Sequence, residues 1–339
     1  MTRFRFGTAV LSVVVIFAGL AWWAVAQPFV TPVSSRPPAV DPTQLETDVR
    51  VLSQRFYPRS YDSDMLSAAA DYLRTRLRET GAKVSDQVVE TDGKQYHNLI
   101  AHFGPDHGPL LVIGAHYDSN GEPLKSDKYS GGFDDYTHTP GADDNASGVA
   151  GLLALSRLLA QQPPPVPLEL VAFTLEEPPH FDTEAMGSAQ HARALRAAGR
   201  AVALMISLEM IGYFSDAPHS QSYPMPGAGL LYPERGDYIG IVARLRDWKL
   251  SRRIKAIMRG ATDLPVYSMN LPAQIPGIDY SDHASYWREG YPAVMITDMG
   301  FYRDDQYHRP GDTANRLDYQ RMAKVVQDVY EVILHYRKT

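Results

Sequence analysis

The chain has 339 residues, 44% of them hydrophobic, enough for one large core or two small ones. Its 33 Lys and Arg are interspersed with 39 Asp and Glu for a formal net charge of −6, with no basic stripe to mark a nucleic-acid binder. Cysteine is absent, which excludes disulfides and thiolate metal sites and leaves any metal to His and carboxylate.

The N-terminus places Arg3 and Arg5 before an uncharged stretch from Phe6 to Ala26. Its length is close to the ~20 residues that span a bilayer. Ala24-Val25-Ala26 resembles a small-residue cleavage site, whereas Trp22 and Trp23 suit the interface of an uncleaved anchor. Residues 1–26 are therefore read as a signal peptide or a membrane anchor. Both readings put the rest of the chain outside the cytoplasm, because the positive end stays inside. Residues 27–41 are Pro/Ser-rich and read as a linker. Residues 42–339 read as one catalytic domain.

From Asp41 onward, helical and extended patterns alternate. "LETDVRVLSQRF" and "MLSAAADYLRTRLRETGA" carry apolar residues at helical spacing, the second closed by Gly81. "PLLVIGAHYDS" predicts a buried strand ending at His116 and Asp118. A helix then runs through "GVAGLLALSRLLAQQPPP" and stops at its prolines. The strand "LELVAFTLEE" ends at Glu176 and Glu177, and a helix follows in "GSAQHARALRAAGR". "VALMISLEMIG" is a third strand with Glu209 near its end. "SDHASYWREG" predicts a short helix, "PAVMITDMG" a fourth strand reaching Asp298, and "DYQRMAKVVQDVYEVILHYRK" a closing helix. Segment 212–246 breaks the rhythm and reads as a long surface excursion. Its Arg235-Gly236-Asp237 reads as a turn entering a strand rather than an adhesion motif.

Apolar strands alternating with helices predict an α/β sandwich with a mainly parallel sheet. The working crevice of such a sheet lies outside the carboxyl ends of its strands, and those ends here carry His116, Asp118, Glu176, Glu177, Glu209 and Asp298. "PGADDNASG" adds Asp143 and Asp144 before a helix, and "DQYHRPGDT" adds Tyr307 and His308. Adjacent like charges such as Glu176 and Glu177 are costly unless a cation neutralises them. A pair of divalent metals sharing one carboxylate answers so much clustered charge. On that reading one of the two glutamates binds metal and the other is a general base.

"GAHYDS", "GADDNASG", the "EE" pair, "SLEMIG", "SDHASYW" and "YHRPGDT" occur in the order and spacing of the co-catalytic di-zinc aminopeptidases, a family that this chain resembles over residues 45–336. Glutamate carboxypeptidase II, glutaminyl cyclase and the transferrin-receptor ectodomain belong to the same family. The resemblance implies a three-layer α/β/α sandwich around a mixed, mainly parallel sheet. It implies two zinc ions, with another divalent metal as the substitute, and peptide substrates with a free N-terminus. It implies Asp143 as the bridging ligand, His116 and Glu209 completing one site, and Glu177 with His308 completing the other. Glu176 is implied as general base and Tyr307 as donor to the oxyanion. Asp118 would support His116, with Asp282 and His283 as further support behind the ligands. Asp144 is assigned to the loop's backbone geometry, and the resemblance implies a cis peptide between Asp143 and Asp144.

This chain departs from the family pattern at two points. The third-strand ligand is commonly Asp, and here it is Glu209. Between the glutamate pair and Gly187-Ser188 stands an insertion, "PPHFDTEAM", expected to rim the pocket and to bring His180 and Phe181 toward substrate. Three rival functions stay open: a glutaminyl cyclase, a carboxypeptidase using Arg303 and Arg309 to hold a substrate carboxylate, and a binding module with a dead site.

Overall fold

The computed structural model describes residues 19–121 and 138–336. The apolar stretch proposed from Phe6 to Ala26 lies outside the described residues up to position 18. Among the described residues no helix is long and apolar enough to cross a membrane.

Eight strands form one mixed sheet in the order β1-β2-β4-β3-β5-β8-β6-β7. These are β1 (Lys83–Thr91), β2 (Lys94–Phe103), β3 (Leu110–His116), β4 (Leu168–Phe173), β5 (Val202–Leu208), β6 (Ile239–Arg244), β7 (Val266–Leu271) and β8 (Ala293–Thr297). β3 pairs in parallel with β4 and β5, and β5 with β8, so their carboxyl ends share one edge of the sheet. β3 and β8 are buried at every residue, as expected of strands covered on both faces.

The helices are α1 (19–26), α2 (Pro42–Arg50), α3 (Asp64–Glu79), α4 (Gly148–Gln161), α5 (Gly187–Ala197), α6 (Trp248–Ala261), α7 (His283–Arg288) and α8 (Tyr319–His335). Local chemistry sets several ends. The Asp41, Ser63 and Asp318 side chains accept the N–H of Thr43, Met65 and Arg321 at the starts of α2, α3 and α8. Residues from α2, α3, α4, α6 and α8 build the apolar cluster on one face. Those of α5 and α7 join the cluster on the other. The layers are therefore helix, sheet, helix, as the strand and helix pattern predicts.

Two parts of the sheet go beyond that pattern. β1 and β2 form an antiparallel hairpin that docks on β4. The excursion at 212–246 ends not on the surface but in β6, which pairs with β8 and β7 inside the sheet. The Pro/Ser-rich stretch after α1 has no helix or strand, yet it lies against α6: the N–H groups of Val33 and Ser35 donate to the carbonyls of Ala256 and Gly260.

Candidate metal centre

The strand ends deliver their side chains to one place. His116 closes β3, Glu176 and Glu177 follow β4, and Glu209 follows β5. His308 arrives from the loop before α8 with φ 53°. All five side chains are buried.

Between the two histidines stands Asp144. Its Oδ1 is 3.2 Å from Nε2 of His116, and its Oδ2 is 3.1 Å from Nε2 of His308. Glu209 Oε1 lies 3.5 Å from the same His116 nitrogen, and Glu177 Oε2 lies 3.2 Å from that of His308. The result is two groups of three, His116-Asp144-Glu209 and Asp144-Glu177-His308, each compact enough to hold one metal ion.

This corrects the position expected for the shared carboxylate, which is Asp144 and not Asp143. Gly141 enters the loop in the left-handed region at φ 58°, where a Cβ would sit 2.4 Å from the carbonyl of Asp144 and 2.7 Å from Ser119 Cβ. The backbone then leaves helical geometry at Asp144 and Asn145. That kink points Asp144 into the cluster and turns Asp143 away from it. Asp143 Oδ1 accepts the N–H of Gly212 at 2.9 Å, and its carboxyl hydrogen-bonds Asp298. The cis peptide also falls one residue later than expected, at Asp144–Asn145.

Several residues hold the cluster in place. Asp312, in the His308 motif, accepts the backbone N–H groups of Asp143 and Asp144 at 2.8 and 3.1 Å. Asp118 sits 3.5 Å from Nδ1 of His116 and accepts the N–H of Glu177 at 2.9 Å. Asn120 lies 2.8 Å from Nδ1 of His308, and Ser281 donates to Glu209 at 2.6 Å. Asp282 is buried beside His116 and Glu209. His283 was expected with it, but donates instead to the carbonyl of Ile278 at 2.8 Å and packs edge-on against Trp287. Burial holds its ring down at about 4.

Arg59 is fully buried and donates to four carbonyls, those of Leu52, Tyr117, Pro140 and Gly141. It ties the start of the Asp144 loop to the end of β3. Asn120, Arg59 and Asp312 escape a reading of the sequence because none sits at a strand end or at a ligand position.

The electrostatics follow from burying carboxylates together. Burial first, then neighbouring Glu209, Glu177 and Asp282, push Glu176 well up, against the opposing pull of His116. Burial raises Glu177 to about 7. Burial would also raise Asp144, but hydrogen bonds from His116 and His308 hold it far below the usual carboxylate range. Burial disfavours a charged His308, yet Glu177 and Asp144 lift it to about 10. Oε1 of Glu177 and Oδ1 of Asp118 are buried with no hydrogen-bond partner, an arrangement that a cation beside Glu177 relieves. The donor set, two imidazoles and three carboxylates without sulfur, suits zinc or a harder divalent ion.

Beside the cluster a pocket opens to solvent, lined by Met210, Val242, Met269, Ile278, Met295, Met299 and Phe301, with Glu209 and Tyr307 at the metal end. Tyr307 stacks on the His308 ring at 3.9 Å. The insertion reaches this rim through Phe181, whose ring meets Tyr280 edge-on at 6.2 Å. His180 packs instead against Tyr61 and Tyr96.

Residues 98–333 match Peptidase family M28, and the chain belongs to that family. It is 51% identical over 308 residues to the Escherichia coli K12 protein YfbL, described as uncharacterized, covering 91% of this chain and 92% of that one. A probable leucine aminopeptidase of Arthroderma otae is 24% identical over 284 residues, 80% of this chain and 67% of the relative. Among solved structures, a Zn-dependent exopeptidase from Parabacteroides distasonis aligns with TM-score 0.65 at 20% identity, over 88% of this chain and 99% of that one. A glutaminyl cyclase from Bacteroides thetaiotaomicron aligns with TM-score 0.66 at 19%, over 89% and 100%. At such identities the structures share the fold and leave the reaction open.

Proposed function

We propose that the chain is a zinc-dependent aminopeptidase that binds two metal ions and releases N-terminal residues from peptides. The observation that carries this is Asp144 standing between two complete half-sites, His116 with Glu209 and His308 with Glu177. Bound there, two divalent cations supply Lewis acidity and a lowered pKa for water.

The chain's own residues supply the rest. Glu176 is buried 3.8 Å from His116 Nε2 and belongs to neither group of three. It takes a proton from the attacking water and returns it to the leaving amine. Tyr307, at the metal end of the apolar cavity, donates to the oxygen that gains charge. The cavity takes the side chain of the residue to be released, and its lining favours an apolar one. The carboxylates beside it give the free α-ammonium a partner.

Three features weigh against the rival readings. Both half-sites and the general base are present, which a dead binding module does not require. A cyclase needs one metal and no water. Of the two arginines that a carboxypeptidase would use, Arg309 and Arg303, Arg303 is buried, bonded to Gln221 and the carbonyl of Tyr213 and lying over the Tyr238 ring, which weighs against its reaching a substrate carboxylate. We place the activity outside the cytoplasm, on the strength of Arg3 and Arg5 before the uncharged stretch.

The test is to assay purified protein, stripped of metal and then supplied with zinc, against unblocked peptides. Amino-acid release only in the zinc-supplied sample supports the reading. Conversion of N-terminal glutamine to a ring with loss of ammonia, and no peptide cleavage, would replace it.

A further inference from the structure

The end of α1 and the residues after it are built into the domain. Lys255 of α6 is buried and donates to the carbonyls of Ala26 and Gln27 at 2.8 and 3.1 Å. Asn270 of β7 donates to those of Ala24 and Val25, both at 3.0 Å. Ser268 donates to Ala26 at 3.1 Å. Further along, a Cβ at Gly260 would lie 1.8 Å from the carbonyl of Val33, so only glycine lets the segment pass there. These side chains form a receptor for one backbone segment beside β7, the edge strand of the sheet. A cut after Ala26 would remove three of the carbonyls and set a new α-ammonium beside Lys255.

The surface around this segment is apolar and basic. Leu230 is 89% exposed and Phe29 70%. Phe29 meets Trp22 edge-on at 5.9 Å, and Trp22 shares a surface cavity with Leu231 and Arg259. α6 presents Lys249, Arg252 and Arg259 and has no carboxylate, its Lys255 being buried and its Arg253 turned to the His335 carbonyl. The sequence leading into this face is uncharged from Phe6 onward.

We infer that the chain retains residues 19–26 and that the face formed by Trp22, Phe29, Leu230 and Leu231 with Lys249 and Arg259 rests on an anionic lipid bilayer. Each half of that surface matches a layer of the membrane. The apolar side chains enter the boundary between headgroups and acyl chains, as amphipathic surfaces do. The cations meet the anionic headgroups, each worth about fivefold in binding. The boundary between protein and lipid falls at Trp22 and Trp23, because the domain's hydrogen bonds claim the chain from Ala24 onward.

Lacking cysteine, the chain accepts a single labelling site. In the full-length protein, Leu230→Cys would carry an environment-sensitive dye, with Val88→Cys, 47% exposed on β1 at the opposite edge, as control. In vesicles of brominated phosphatidylglycerol and phosphatidylcholine, the dye at 230 is expected to be quenched and the dye at 88 not. Adding Lys249→Glu and Arg259→Glu, or omitting the anionic lipid, should lower that quenching by at least about half. Equal quenching at both positions, or none at 230, would overturn the inference. So would protection of the 230 dye in lipid-free detergent at rising protein concentration, which would mean that a second copy covers the face. An intact mass that begins at Gln27 in protein recovered from producing cells would overturn retention of the segment.

Discussion

Asp312 accepts the backbone N–H of Asp144 at 3.1 Å, and that bond, with its twin to Asp143, aims the Asp144 carboxylate between His116 and His308. Asp144→Asn should therefore empty both half-sites, since both share it. Asp143→Asn should leave metal content unchanged and cost about 1–3 kcal/mol of stability through its lost partners. Metal analysis of the two variants decides the matter, and loss of metal from Asp143→Asn alone would return the shared role to that residue. Asp312→Asn should weaken metal binding by about 10–100-fold, the usual effect of removing an orienting partner.

Glu176→Gln keeps the side chain's shape but cannot accept a proton. Turnover should fall by about 10²–10⁴-fold while metal content stays as in the parent protein. A variant that loses metal instead would show that Glu176 is a ligand and that Glu177 is the base.

The order of chemistry along the chain was legible because strand ends expose it: His116, Glu176, Glu177 and Glu209 all follow apolar runs. Which of two adjacent aspartates faces the cluster was not legible. That choice depends on the left-handed Gly141 and the kink at Asp144 and Asn145, and no periodicity encodes a single-residue kink. His283 was misplaced for a related reason, because a short helix of six residues turns each neighbour by about 100°. The placement of β6 inside the sheet was hidden by the irregular chain before it, and Arg59 by its distance in sequence from everything it clamps.

Val242 lies in the middle of β6 with its side chain in the apolar cavity. Val242→Phe fills space that a large substrate side chain would take. Hydrolysis of peptides beginning with Leu or Phe should lose about 10–200-fold in kcat/KM, with Ala-initiated peptides affected far less. Equal losses on both would mean that this cavity does not receive the released residue.

Lys255 connects stability to pH. Burial first, then Arg259 and Arg252, lower it from 10.5 to about 7. Its hydrogen-bond partners are the carbonyls of Ala26 and Gln27 and the Ser268 hydroxyl, and the Tyr267 ring lies 5.7 Å away. Below pH 7 both folded and unfolded chains hold the proton, and the cost of burying it is complete. Above pH 7 the folded chain sheds it while the unfolded chain still binds it, so stability rises by up to about 1.4 kcal/mol per pH unit. Urea midpoints at pH 7 and pH 9 should therefore separate in the parent protein, and Lys255→Met should remove that rise. An identical pH dependence in both would place the lysine in solvent and undo the docked segment.

The most direct measurement compares one zinc-supplied enzyme on a Leu-initiated peptide and on the same peptide N-acetylated. Acetylation removes the ammonium that the carboxylate-lined crevice binds and adds bulk where the cavity closes. The account predicts release of leucine from the free peptide and none from the blocked one. Trimming of the acetylated peptide at the same rate would contradict the aminopeptidase assignment, even with every metal ligand correctly placed.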